Sequence, residues 1–192
     1  MGQAKNFPPC LQLIAAFSRY DRTLDWLWEN VRSRLGAIAV LSSRFDFAES
    51  EYYRTTMGDC LKKQFAILEC WYDPASLADS KLLSNDWENQ ISSEGSYSEA
   101  RPLNIDPGYM SMTKLVLAST KNREHRIYLR DGIYAEVTLA YRNQLWQPMP
   151  WTYPDYQRDD FRLFFQQARA YLADRVLEQS RDAANKSVTK VK

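Results

Sequence analysis

Arginine, tyrosine, glutamate and threonine residues occur at alternate positions within the stretch 121–142. Residues of these types can bind an anion. Apolar and polar residues alternate through 133–142 and through 125–129, which is typical of half-buried strands. One face of this predicted hairpin carries Arg126, Tyr128, Tyr134, Glu136 and Thr138. A guanidinium binds phosphate or carboxylate by paired hydrogen bonds, and a nearby carboxylate can orient it. The alternative is a solvated sheet face whose cross-strand ion pair contributes about 0.2–1 kcal/mol.

The register of the hairpin follows from matching its faces. Residues directly opposite each other in an antiparallel pair point to the same side. A three-residue loop, 130–132, places Ile127 opposite Ala135 and Leu129 opposite Ile133, so that apolar residues share a face. A two-residue loop would mix apolar with charged residues, and we therefore expect the three-residue loop.

Two segments beside the hairpin contribute further candidate site residues. Pro107-Gly108 suits the centre of a type II turn, which places Asp106 at the end of a short strand. The stretch 150–156 has two prolines and three aromatic residues, and predicts a rigid loop leading into the last helix. We expect Trp151 to pack on the core, and Tyr153 and Asp155 to remain candidates for the site.

Several motifs of this region, in their order and spacing, resemble the DUF4416 family of bacterial proteins of unknown function. They are LNIDPGY (103–109), KLVLASTK (114–121), HRIYL (125–129), GIYAEVTL (132–139) and PWTYPDY (150–156). The resemblance covers roughly residues 8–175 and includes an upstream signature, FDF followed by EYYRTTMGDCL. It implies an architecture but no activity, cofactor or catalytic residue. Where members often have an acidic residue before the Met-Gly pair, this chain has Thr56.

Some members of that family are labelled GTP-binding, and the motifs that would support this label are absent here. No two glycines have the Walker spacing, and none precedes Lys-Ser or Lys-Thr. Nucleotide binding would instead use aromatic stacking by tyrosines, with Lys121, Arg123 and Arg126 on the phosphates.

The predicted fold is α+β. Residues 11–105 read strand–helix–strand–strand–helix–strand, which predicts a ferredoxin-like N-terminal half, βαββαβ. Three or four antiparallel strands between 115 and 147 extend it. A C-terminal helix closes the fold with one apolar stripe: Phe161, Phe164, Phe165, Ala168, Tyr171 and Leu172. We expect a flexible lead-in at 1–8, a single domain at 9–179, and a disordered polar tail at 180–192.

Composition excludes several classes of function. A net charge of +1 in 192 residues gives no basic surplus for binding DNA. Three scattered cysteines and a single histidine, His125, lack the spacing of a zinc site, so no metal ligand is assigned. Whether Asp106, Glu136 and Asp155 converge to hold Mg²⁺ is left open. Without a signal peptide or an apolar run of membrane length, the sequence predicts a cytoplasmic protein with no membrane partner.

The sequence favours a site for a phosphorylated or nucleotide-like small molecule, with no enzyme class, cofactor or catalytic residue assigned. Its expected wall and rim are Lys121, Arg126, Tyr128, Tyr134 and Glu136, with Asp106, Tyr153 and Asp155. The alternative is a non-enzymatic module that binds a protein or RNA through the same face, because Tyr, Trp and Arg are common interface anchors. Free sheet edges also allow a homodimer.

Overall fold

Apolar runs separated by short turns form the strands of one antiparallel sheet in this α+β protein. The computed structural model describes residues 2–3, 6–47 and 53–189, and in these ranges it has nine strands and four α-helices. The strands are β1 (Cys10–Ser18), β2 (Ile38–Leu41), β3 (Phe45–Phe47), β4 (Leu61–Trp71), β5 (Asn104–Ser111), β6 (Lys114–Ser119), β7 (Ile127–Arg130), β8 (Ile133–Arg142) and β9 (Leu145–Pro148). The helices are α1 (Asp21–Arg34), α2 (Arg54–Met57), α3 (Leu77–Ser93) and α4 (Asp159–Thr189).

The spatial order of the strands is β2-β4-β1-β5-β6-β8-β7, with β3 also paired to β4 and β9 to β8. Every neighbouring pair is antiparallel. β1 lies in the middle and is buried along its whole length. Such a strand must be apolar on both faces, which explains the continuous apolar run at its centre.

The two faces of the sheet are covered by different helices. On one face, Ile14, Ala66 and Ile105 pack with Leu27 of α1 and Trp87 of α3. On the other face, the side chains that alternate with these pack against α4, whose predicted apolar stripe lies in that core cluster. The predicted role of the C-terminal helix is confirmed, because its apolar stripe covers a sheet face.

The two ends of the chain, which we expected to be a flexible lead-in and a disordered polar tail, differ in structure. α4 continues through residues 180–189, where we expected a polar tail, and residues 190–192 lie outside the described part of the chain. Among residues 1–8, which we expected to be a flexible lead-in, 2–3 and 6–8 have no regular secondary structure, and 1, 4 and 5 are not described. No helix in the described ranges is long and apolar enough to cross a membrane.

β5 and β6 pair over only three positions, from Gly108↔Leu117 to Met110↔Leu115. Backbone groups of alternate strand residues point to the same neighbour, so Ile105, Pro107 and Tyr109 all face β6. Pro107 has no N–H to donate there, and the pairing does not continue past it. The two strands therefore separate on one side of Pro107.

The predicted type II turn at Pro107-Gly108 is wrong, because both residues lie inside the continuous strand β5. Gly108 is required for another reason. A Cβ atom on Gly108 would lie 2.2 Å from the backbone oxygen of Val116 on β6. The glycine permits a close approach of two strands rather than a turn.

The predicted hairpin register is confirmed in part. Ile127 is opposite Ala135 and Tyr128 is opposite Tyr134, as expected, but Arg130 rather than Leu129 is opposite Ile133. The loop is the two-residue Asp131-Gly132, with φ values of 52° and 75°, and the extra residue forms a bulge in β7. Ile127 is 73% exposed, so the expectation that it faces the core is wrong.

A second bulge alters the faces of β8. Val116 is opposite Val137 and Leu115 is opposite Leu139, so one extra residue of β8, Thr138, lies between these pairs. Leu139 therefore packs on the α4 side with Leu115, whereas Ile133 packs on the α3 side. The unbroken alternation through 133–142 had predicted that Ile133 and Leu139 lie on the same face of the sheet. That prediction is wrong because the bulge shifts the alternation by one residue.

We expect Gly108→Ala to destabilise the protein by about 1–3 kcal/mol, because the added methyl group meets the rigid backbone of β6. Urea unfolding at neutral pH measures this. Gly132→Ala is the comparison, since a Cβ there meets nothing within 4 Å and only the positive φ of 75° opposes it. Equal destabilisation by the two substitutions would contradict the close-approach explanation.

Candidate functional site

A cavity of about 550 Å³ lies on the α4 side of the sheet, where β5 and β6 separate. The 3₁₀ turn Pro154–Gln157 contributes Pro154, Asp155 and Tyr156 to its lining. Three groups of side chains form it. The first group, called the β5 wall, includes three residues of α3: its members are Lys81, Asn85, Glu88, Arg101, Asn104 and Asp106. The second group, called the β6–β8 wall, consists of Leu117 to Lys121, Arg123, Arg126 and Glu136. The remaining lining residues are Phe17, Phe47, Tyr53, Lys63, Tyr153, Pro154, Asp155 and Tyr156.

Six of the eight residues expected from the sequence line this cavity: Lys121, Arg126, Glu136, Asp106, Tyr153 and Asp155. Tyr128 and Tyr134 do not line it. Their rings contact each other edge to face, with centroids 5.3 Å apart, and Tyr128 is 57% exposed. The hairpin positions nearest the turn thus lie away from the cavity, whereas Arg126 and Glu136 lie within it.

Arg126 and Glu136 form a buried ion pair rather than a solvated one. Arg126 Nε donates to Glu136 Oε2 at 2.6 Å, and the side chains are only 4% and 3% exposed. The Arg126 guanidinium also donates to Ser119 Oγ at 2.7 Å and to the Lys121 carbonyl at 2.9 Å. Burial opposes the charged form of Arg126, but the hydrogen bond and negative charge of Glu136 prevail and raise its pKa. Arg126 is therefore a charged group held in one position.

Glu136 has a second partner on its other side. His125 Nε2 lies 3.2 Å from the same Oε2, and the imidazole stacks on Trp151 with ring centroids 5.0 Å apart. Trp151 in turn donates from Nε1 to the Val137 carbonyl at 2.9 Å, which attaches its loop to β8; it is half-buried and is not a member of the core clusters. His125 and Trp151 border a second, mainly apolar depression of about 620 Å³, to which Glu136 also belongs.

Lys63 and Asp155 form a second buried pair in the cavity. Lys63 Nζ donates to Asp155 Oδ2 at 2.5 Å, with side-chain exposures of 3% and 7%. Aromatic rings surround the ammonium group, the nearest being Tyr156 with its centroid 4.4 Å from Nζ. Because aromatic faces attract cations, this cage compensates part of the desolvation of Lys63. Burial raises the pKa of the Tyr156 hydroxyl, which finds no hydrogen-bond partner among the described residues.

The β5 wall satisfies the backbone that β6 leaves unpaired. Lys81 Nζ donates to the Ile105 carbonyl at 2.7 Å, and Glu88 Oε1 accepts from the Ile105 N–H at 2.7 Å. Both side chains come from α3 on the opposite face and reach the cavity at the separation of the strands. Lys81 Nζ also lies 3.7 Å from Asp106, and Arg101 lies 3.3 Å from Glu88. Each charge of this wall therefore has an opposite charge nearby.

The net charge of the cavity is concentrated on one wall. Two cations and two carboxylates balance on the β5 wall, and Lys63 balances Asp155. The β6–β8 wall has three cations, Lys121, Arg123 and Arg126, and a single carboxylate, Glu136. Arg126 and Glu136 compensate each other, so Arg123 contributes positive charge to this wall beyond that pair. Arg123 is exposed, and its guanidinium makes no hydrogen bond to the described residues.

The three carboxylates considered as Mg²⁺ ligands share the cavity but have separate cationic partners. Asp155 pairs with Lys63, Glu136 with Arg126, and Asp106 with Lys81. In the part of the chain that the structure describes, no group of three or more His, Cys, Asp or Glu side chains could hold a metal ion. The arrangement suits a ligand that brings negative charge, rather than a cation.

Sequence reasoning missed the cavity residues of β4 and α3, although both carry a detectable signal. Lys63 alternates with Phe65 and Ile67, so a strand that begins at Leu61 places it on a buried face. Lys81, Asn85 and Glu88 recur at spacings of four and three residues, which align them on one side of α3.

A family model described as a domain of unknown function, DUF4416, matches residues 8–171. A search of curated proteins and a search of solved structures found no match.

We expect Lys63→Met to cost about 3–5 kcal/mol of unfolding free energy, because it leaves the Asp155 carboxylate buried without its partner. Urea unfolding measures the loss. The double variant Lys63→Met, Asp155→Leu should recover much of it, since no buried charge remains.

The matched control for that substitution is Lys62→Met. Lys62 is the neighbouring residue and pairs with Asp21 at 2.8 Å, but both side chains are well exposed. Its loss should cost less than about 1 kcal/mol. Similar losses for Lys62→Met and Lys63→Met would show that the buried pair has no special energetic role.

Stability should also depend on pH through Glu88. Burial raises the pKa of Glu88, with a further contribution from the Asp106 carboxylate, against the opposing effects of Lys81 and the Ile105 N–H. The folded protein therefore binds this proton more tightly than the unfolded chain. Its contribution to stability is complete below the unfolded pKa of about 4.3 and is lost as pH rises through the folded pKa.

We accordingly expect Glu88→Gln to become more stable relative to the unsubstituted protein as pH rises from about 4 to 7. Urea unfolding at several pH values measures the difference. Glu29→Gln, at an exposed position of α1, is the control and should show little such trend. A difference that is constant with pH, or that falls as pH rises, would argue against the raised pKa.

Proposed function

The chain belongs to the DUF4416 family, and since the description of that family states no activity, we propose from the cavity that the protein binds a small phosphorylated molecule. The observation that carries this proposal is the exposed Arg123 guanidinium on the β6–β8 wall, the same wall that holds the buried Arg126–Glu136 pair. A phosphate monoester carries up to two negative charges near neutral pH and would bind that guanidinium.

The contacts of the β6–β8 wall support phosphate as the charged group. Arg126 is held by Glu136, Ser119 and the Lys121 carbonyl, so that little of its freedom remains to be lost on binding. Arg123 is exposed and makes no hydrogen bond to described residues, so its planar guanidinium is available for paired bonds to phosphate oxygens.

The size and the lining of the cavity support a nucleotide or a sugar phosphate. A volume of about 550 Å³ falls within the range of about 300–1,000 Å³ of small-molecule sites. Tyr153, which is 50% exposed, lines the cavity beside Pro154 and offers a surface for a base or a sugar ring. No catalytic residue is proposed.

We also propose that the N-terminal half is ferredoxin-like. Its support is the spatial order β2-β4-β1-β5 with antiparallel neighbours, and the packing of both connecting helices, α1 and α3, on one face. This arrangement reserves the other face for α4 and the cavity. The three free cysteines, Cys10, Cys60 and Cys70, support a reducing compartment such as the cytoplasm.

A second candidate function is a non-enzymatic interaction module for a protein or RNA. The edge strand β7 favours it, because Ile127, Tyr128 and Leu129 are 73%, 57% and 39% exposed. β7 pairs with β8 alone among the described strands and so offers backbone groups to another strand. A second copy of this chain could add to the sheet there, which would give a homodimer.

We expect thermal-shift measurements with nucleotides and sugar phosphates to find a ligand that stabilises the protein. At about a hundred times its dissociation constant, a ligand adds roughly 2.7 kcal/mol, which for this size corresponds to about 5–10 °C. Arg123→Ala should reduce the shift strongly, since it removes the guanidinium that is proposed to bind the phosphate.

Arg32→Ala is the matched control, because Arg32 is an exposed residue of α1 outside the cavity. It should leave the shift unchanged. If no phosphorylated compound stabilises the protein, the proposal is wrong and the β7 edge becomes the leading candidate. Sedimentation of the protein and of Ile127→Lys would then test pairing between copies.

A further inference from the structure

We infer that the β5 wall of the same cavity is a hydroxyl-binding subsite, so that the ligand is a phosphate ester of a sugar or another polyol. This inference rests on the proposed function and specifies which part of the ligand each wall receives. It follows from hydrogen-bonding capacity that remains unused on the β5 wall, and from the charge balance of that wall.

Asn85 supplies the first part of this capacity. Its side chain is half-buried and lines the cavity, yet its amide makes no hydrogen bond to the part of the chain that the structure describes. It lies between Lys81 and Glu88 on the same side of α3. An amide offers two N–H donors and one carbonyl acceptor, and a hydroxyl group can bond to both kinds of atom.

Asp106 supplies the second part. One of its carboxylate oxygens accepts from Asn104 Nδ2 at 2.9 Å, and the other lies 3.7 Å from Lys81 Nζ, beyond hydrogen-bond distance. Two carboxylate oxygens can accept about four hydrogen bonds, so Asp106 retains acceptors for O–H donors. Its side chain is 31% exposed, which leaves it accessible from the cavity.

The charges determine which end of the ligand binds where. Asp106 and Glu88 balance the cations of the β5 wall, so this wall has no net attraction for a phosphate. The excess positive charge is across the strand separation, on the β6–β8 wall. A molecule with a phosphate at one end and hydroxyl groups at the other satisfies both walls at once, whereas inorganic phosphate or a simple alkyl phosphate satisfies only one.

The test compares four probes by isothermal titration calorimetry on the full chain: n-butyl phosphate, ribose 5-phosphate, glucose 6-phosphate and adenosine monophosphate. At least one hydroxyl-bearing ester should bind about tenfold or more tightly than n-butyl phosphate, the effect of about one hydrogen bond to a charged group. Tighter binding of ribose 5-phosphate or glucose 6-phosphate identifies a sugar phosphate, and tighter binding of adenosine monophosphate identifies a nucleotide. Either result supports the subsite.

Substitutions then locate the subsite. Asn85→Ala and Asp106→Ala should remove the advantage of the hydroxyl-bearing ester while n-butyl phosphate binds at least as tightly as before. Asn89→Ala and Asp86→Ala are the matched controls, because both residues are exposed on α3 and outside the cavity. Arg123→Ala should weaken every probe.

Two results would overturn the inference in different ways. If n-butyl phosphate binds within about twofold of every hydroxyl-bearing ester, the hydroxyl subsite is wrong while phosphate binding at the β6–β8 wall stands. The same conclusion follows if the α3 and β5 substitutions weaken n-butyl phosphate equally. If none of the four probes binds, the proposed function itself fails, and the subsite fails with it.

Discussion

The backbone of Ile105 needs partners that its neighbouring strand does not provide, and much of the cavity follows from how they are supplied. On the N-terminal side of Gly108, β5 is no longer paired with β6. A buried N–H or carbonyl group without a hydrogen-bond partner costs free energy. Lys81 and Glu88 of α3 bond these two groups. Because both side chains are charged and largely buried, they require further charges, which Arg101 and Asp106 provide. One interrupted ladder thus leads to a polar network in the centre of a sheet.

That network is an unusual solution in energetic terms. Replacing buried ion pairs by apolar residues of similar volume is often neutral or stabilising. The same sheet face is filled a few residues away by Leu115, Leu139 and Phe165, so an apolar alternative was available to this fold. Sequences that break such local rules tend to do so at functional sites. The buried pairs Lys63–Asp155 and Arg126–Glu136 fit the proposed binding site in this respect.

Local sequence patterns predicted the strands and helices well. They failed where contacts between residues distant in sequence determine the register or the backbone conformation. Alternation identified the hairpin pairs Ile127↔Ala135 and Tyr128↔Tyr134, and helical spacing identified the stripe of α4. The bulges at Leu129 and Thr138 have no local signature, and each moves the residues beyond it to the other face. Pro107-Gly108 has the composition of a turn, but its conformation is set by β1 and β6 on either side. The six expected site residues that line the cavity come from the hairpin and its two flanking segments, whereas Lys63, Lys81 and Glu88 come from β4 and α3, where the sequence analysis named no candidate.

In the proposed site, most polar groups of both walls are held in place before a ligand binds. Arg126 is already fixed by Glu136, Ser119 and the Lys121 carbonyl, and the β5 wall is fixed by its bonds to Ile105. A ligand gains most from groups that are ordered before it arrives, since little side-chain entropy is then lost. Arg123 is the exception, because it is exposed and must become ordered on binding. In the proposed site, the fixed groups would select the shape of the ligand, and the exposed Arg123 guanidinium would attract its charge.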